Sequence, residues 1–142
     1  MKRYFSPLRM TSYLLVFFCL GHSMGALMET PSFGNSADAV AVAMKSVHFS
    51  ANGSDCTWFG FYLGFGWFVS VFFLLSAGVT WFLGGLDRPR RRESLPIVWM
   101  LLAGYSANTY LSWRYFFAVP LVCSGAITLL LGVECWRTSR AE

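Results

Sequence analysis

An all-α fold, a four-helix transmembrane bundle with both termini on the inner side, is predicted by three features of this 142-residue chain. Four nearly uncharged apolar segments, about residues 12–28, 57–84, 95–113 and 115–136, each approach the length that a bilayer requires. A hydrocarbon core roughly 30 Å thick needs about 20 residues at about 1.5 Å rise each, with a tolerance of about 17 to 25. Counting glycine in place of tyrosine, the apolar share is roughly 61%, against about 45–50% in soluble chains. The basic residues also alternate with every crossing. Lys2, Arg3 and Arg9 precede the first span, Arg88, Arg90, Arg91 and Arg92 fill the second link, and Arg137 and Arg140 follow the fourth span. Only Lys45 and Arg114 fall in the other two connections. The positive-inside bias therefore places both termini and the 87–94 link in the cytoplasm, and the whole chain reads as one integral membrane domain.

The first span opens on a basic stretch and contains Gly21, His22 and Gly25. A cleaved signal peptide would share the basic start and the apolar run, but Gly25-Ala26-Leu27 is not an A-x-A site and cleavage would leave an odd number of crossings. The outer connection, residues 29–56, is the longest. Pro31, Gly34 and Asn35 break the first helix, and Ala37, Val40, Ala41, Met44, Val47 and His48 then recur at helical spacing opposite Asp38 and Lys45. A short amphipathic helix at the membrane surface or against the bundle mouth is expected here, with His48 on its surface. Asn52-Gly53-Ser54-Asp55 turns the chain into the second span.

The second span is rich in aromatic residues. Trp58 and Tyr62 suit one interfacial belt and Trp81 the other. Gly60 and Gly64 form a G-x-x-x-G step with Gly66 beyond it, and Gly21 and Gly25 repeat the spacing in span one, which predicts close packing of spans one and two. Spans three and four form a hairpin turning at Trp113 and Arg114. Pro120 falls about one turn inside span four, where it bends the helix unless it lies in the first turn.

His22 is the clearest ionisable side chain inside a span, with Cys19 one turn earlier on the same face. Such a histidine can carry a proton, bind a metal or haem, or hydrogen-bond across the bundle; a bond to Asn108, Thr109 or Tyr105 of span three is expected. Asn108, Thr109, Tyr110 and Ser112 form a polar patch that, with Tyr62, could line a small outward-facing pocket. Glu134 reads as an interfacial ion pair with Arg137, one turn away. The four cysteines lack C-x-x-C or metal-ligand spacing, and Cys56 alone lies where it could link two subunits. No Walker A loop, H-E-x-x-H or G-x-S-x-G motif is present, and no carboxylate pair lies in a span. Neither a metal nor a cofactor is expected. The net charge of +4 sits at span ends instead of on one face, which argues against a nucleic-acid partner.

The run Phe61-Tyr62-Leu63-Gly64-Phe65-Gly66-Trp67-Phe68-Val69-Ser70-Val71-Phe72 resembles the hallmark of a family of small uncharacterised bacterial four-span membrane proteins. The resemblance extends to Gly21-His22-Ser23 and to Tyr115-Phe116-Phe117-Ala118-Val119-Pro120-Leu121. It implies the four-span fold and the bacterial inner membrane, without a reaction. Relatives tend to carry an acid before the Phe-Tyr pair, where this chain has Gly60, so an acid and histidine relay is disfavoured.

The leading expectation is a non-enzymatic membrane protein acting by lateral association with lipid, another membrane protein or a second copy of itself. A small oligomeric carrier or channel, its path lined by His22 and the 108–112 patch, is the alternative, and a cofactor enzyme using His22 with Cys19 is a third.

Overall fold

The computed structural model describes residues 6–28 and 32–140. Lys2, Arg3 and the expected break at Pro31 lie outside the described residues. The chain is mostly helical, with helices α1 (Pro7–His22), α2 (Asn35–Ser46), α3 (Trp58–Gly85), α4 (Arg88–Glu93), α5 (Leu95–Tyr115) and α6 (Ala118–Ser139). A π-helical turn, Ser23–Met28, continues α1, and two strands, β1 (His48–Ala51) and β2 (Ser54–Thr57), stand between α2 and α3. The contacts divide the chain into two units, one holding residues up to Phe18 and from Phe73 onward, the other Cys19–Phe72.

In the first unit α1 begins earlier than the hydropathy predicts. Ser6 Oγ accepts from the Arg9 amide at 3.3 Å, and Pro7 occupies the first helical position, where its missing N–H has no role to fill. Arg9, excluded by a hydropathy reading, is inside the helix with its guanidinium 3.5 Å over the Trp81 ring. Leu8, Leu15 and Phe18 are buried along one face of α1, and Phe73, Ala77 and Leu83 along one face of α3. Phe18 stacks on Phe73 at 4.5 Å between ring centroids, and the buried Ser12 hydroxyl donates to the Ala77 carbonyl at 2.8 Å.

The α5–α6 hairpin carries the rest of this unit. Val98, Tyr105 and Ser112 are buried on α5, and Ser124, Ile127, Leu131, Glu134 and Cys135 on α6. Those spacings of seven, and of three and four, are the signature of two helices meeting along one stripe. The turn falls at Phe116 and Phe117, both extended, so α5 runs through Arg114 and ends at Tyr115, one residue past the expected bend. Pro120 is therefore in the first turn of α6, where a proline is tolerated. The link before α5 is helical too. Asp87 caps α4 by accepting from the Arg90 amide, and Pro89 sits in its first turn.

In the second unit the expected amphipathic helix is α2, started by Gly34 at φ 97°, a conformation that favours glycine. Asp38 in its first turn and Lys45 in its last complement the helix dipole. Among the described residues its apolar side is largely uncovered, Met44 being half-buried and Val40 60% exposed. An antiparallel hairpin then follows, which departs from a wholly helical reading. His48 pairs with Thr57 and Ala51 with Ser54, around a turn in which Asn52 has φ 52° and Gly53 φ 84°. Two consecutive left-handed residues define the type I′ turn for which Asn-Gly is the preferred pair. His48 consequently belongs to a strand, its Nδ1 2.8 Å from Asp55 Oδ2 on the same face.

Among the described residues two helices, α3 and α6, are long and apolar enough to cross a membrane.

Candidate functional site

The polar residues of α1 meet α3 within the second unit. Cys19 Sγ donates to the Ser70 carbonyl at 3.4 Å, Ser23 Oγ lies 2.8 Å from Ser70 Oγ, and His22 Nε2 lies 3.1 Å from the Gly66 carbonyl. A carbonyl oxygen can only accept, so Nε2 carries the proton in this geometry. The π turn begins at Ser23, directly after His22.

Cys19 and His22 thus share one strip, as their spacing predicts, and one His22 bond runs to a backbone oxygen of α3. Thr109 donates to the Tyr105 carbonyl at 2.8 Å and lies 3.0 Å from the Thr128 hydroxyl of α6, so it joins the two helices of the hairpin. Asn108 is half-buried beside it. Tyr62 lines a shallow apolar hollow with Met44, Phe49, Trp58, Phe61 and Phe65, formed by the hairpin and the start of α3. This arrangement gives the individual residues packing and hydrogen-bonding roles.

The glycines divide by what surrounds them. A methyl group on Gly66 would run into the Leu27 side chain, so this glycine allows the continuation of α1 to approach α3. Gly60 abuts Thr57 Oγ1, the acceptor for its own amide at 3.0 Å, and serves the start of α3. Gly21, Gly25 and Gly64 face open space among the described residues. Among the described residues, Gly66 is therefore the glycine of this set against which the continuation of α1 packs, while the other α1–α3 contacts run through side chains and backbone oxygens.

A charged cleft in the first unit was missed by the sequence reading. Arg91 Nη1 lies 3.5 Å from Glu134 Oε1, while Arg91 Nη2 donates to the carbonyls of Gly84 and Leu86 at 3.1 and 3.2 Å. Glu134 also accepts from the Thr138 hydroxyl at 3.3 Å. Its partner is Arg91 of the α3–α5 link, and Arg137, one turn along α6, lines the cleft instead. The signal available was the glutamate itself, a carboxylate at the end of an apolar helix that needs a cation.

No family model, no curated protein and no solved structure matches this chain.

Proposed function

We propose that the chain is a four-span protein of the bacterial inner membrane, N-in and C-in, that acts without catalysis by lateral association with a second copy or another membrane protein. The observation that carries this reading is the open face of α3 at Gly64. The glycine has free space beside it, and Phe61, Phe65 and Phe68 are exposed around it, with Phe68 at 71%. Small residues let a partner helix approach closely, and association in lipid relies on such packing because apolar surface alone is no driving force there.

Membrane residence is supported by how little of the apolar surface the chain covers for itself. Only 28% of the most apolar window of either α3 or α6 is buried, far from the state of a soluble core helix. Arg9, α4 and the end of α6 gather basic charge at one end of the first unit, in keeping with an inner face. The uncovered apolar side of α2 fits a helix lying in the outer interface. The likeness to small four-span membrane proteins is a resemblance carried by the Phe61-Tyr62-x-Gly64-Phe65-Gly66 run alone.

Crosslinking in native membranes tests the reading. Gly64→Leu should abolish the crosslinked species while the monomer still inserts; an unchanged pattern would remove the glycine face as the contact.

A further inference from the structure

We infer that the cleft beside Glu134 binds the phosphate of an anionic glycerophospholipid, an inference that rests on the membrane reading above. The cleft, about 820 Å³, is lined by Arg88, Arg91, Arg92, Arg137, Glu134 and Thr138 among others. Glu134 is buried and holds Arg91 in place. Among the described residues, Arg88, Arg92 and Arg137 make no ion pair, although Glu93 also lines the cleft, so four guanidiniums face two carboxylates and the lining keeps a net positive charge. Arg91 Nε is also buried with no hydrogen-bond partner among the described residues. A guanidinium matches a phosphate by its planar fork of donors.

The surroundings select a lipid phosphate over a soluble one. Leu129, Val133 and Trp136 are exposed at 72%, 44% and 58% along one stripe of α6 that ends at the cleft residue Arg137. Their spacing of four and three keeps them on one helix face, along which an acyl chain can lie. Trp136, with the Arg140 guanidinium 4.8 Å above its ring, has the character of a headgroup-level anchor. Basic pockets of this sort at the cytoplasmic end of membrane helices suit acidic headgroups, and each arginine near an anionic surface strengthens binding about fivefold.

The test places full-length protein in phosphatidylcholine nanodiscs containing a minority of phosphatidylglycerol and identifies the lipids retained on extraction by native mass spectrometry. Phosphatidylglycerol should be retained in preference. Retention should fall at least about tenfold in Arg88→Gln/Arg92→Gln/Arg137→Gln, measurably in the exposed single variant Arg92→Gln, and not at all in Lys45→Gln. Loss in neither arginine variant, or equal loss in Lys45→Gln, overturns the site. Inorganic phosphate that binds with the same dependence on the three arginines and displaces the lipid identifies a soluble ligand and overturns the lipid assignment. Equal retention of both lipids by inserted protein overturns the cleft while the membrane reading stands. Protein that never enters the discs overturns the membrane reading itself, and the lipid site with it.

Discussion

Arg91 reaches Glu134 across 3.5 Å, and the Glu134 side chain is only 3% exposed. The same guanidinium donates to the last carbonyls around α3, at Gly84 and Leu86, so one side chain from the basic link ties the ends of α3 and α6. A carboxylate at that depth depends on its cation, because an unpaired buried charge costs more than the pair contributes.

Glu134→Ala should therefore destabilise the protein by about 1–3 kcal/mol, less than a fully buried pair because Arg91 is 22% exposed. Arg91→Met should cost a similar amount. The double variant Arg91→Met/Glu134→Leu should lose less than the two singles together, read from thermal unfolding in detergent micelles. Additivity within about 0.5 kcal/mol would mean that the residues do not interact.

Gly66 and Gly64, two residues apart, should respond in opposite ways to enlargement. Gly66→Val meets the Leu27 side chain and should cost about 1–3 kcal/mol of unfolding free energy, the usual range for overpacking. Gly64→Val enters open space and should leave monomer stability within about 1 kcal/mol, the difference in helix propensity being small. Equal losses at the two positions would refute the assignment of Gly66 as the point of contact.

The hairpin turn should be intolerant of a branched residue at Gly53, whose φ is 84°. Gly53→Val should abolish the cross-strand nuclear Overhauser contacts between the register partners Phe49 and Cys56. Asn52→Gly should keep them, since glycine also adopts the left-handed region. Preserved contacts in Gly53→Val would show that the strands do not need this turn.

Sequence periodicity located α2 to within two residues, and hydropathy located α3 and α6, because those signals extend over many residues and average out local noise. Strands of four residues, His48–Ala51 and Ser54–Thr57, offer too little alternation to stand against a helical pattern running through His48. Only Asn52-Gly53 marks them, and the same pair also suits a turn leading directly into a helix. The start of α1 was hidden for a different reason. Arg9 looks like the edge of a span, yet its stem and guanidinium pack on Trp81 and Gly84, a snorkelling arrangement that hydropathy scores as a break. His22 needs a partner inside the span, and one acceptor is the Gly66 carbonyl, a backbone group that leaves no mark in sequence. Glu134 was likewise assigned the nearest cation along its own helix, since the spatial approach of the 87–94 link follows only from the folded hairpin.

The capping network at the start of α2 carries a pH dependence. Asp38 Oδ2 accepts from the Ser32 hydroxyl at 2.6 Å, and Oδ1 accepts from the Phe33 amide at 3.0 Å. Both bonds favour the ionised form, the serine bond more strongly, and hold the carboxyl below its ordinary range. A group whose folded pKa is depressed stabilises the fold in full above its unfolded value, about 3.9 for aspartate, and loses that contribution as the pH falls through the lowered value. Neutral conditions therefore retain the cap, and acid below the ordinary aspartate range removes it, freeing the first turn of α2. Carboxyl carbon shifts of Asp38 should titrate with a midpoint below that of an unstructured aspartate, and Ser32→Ala should move the midpoint upward, because the larger of its two causes is gone. A midpoint unmoved by Ser32→Ala would mean that the serine does not hold the carboxylate in solution.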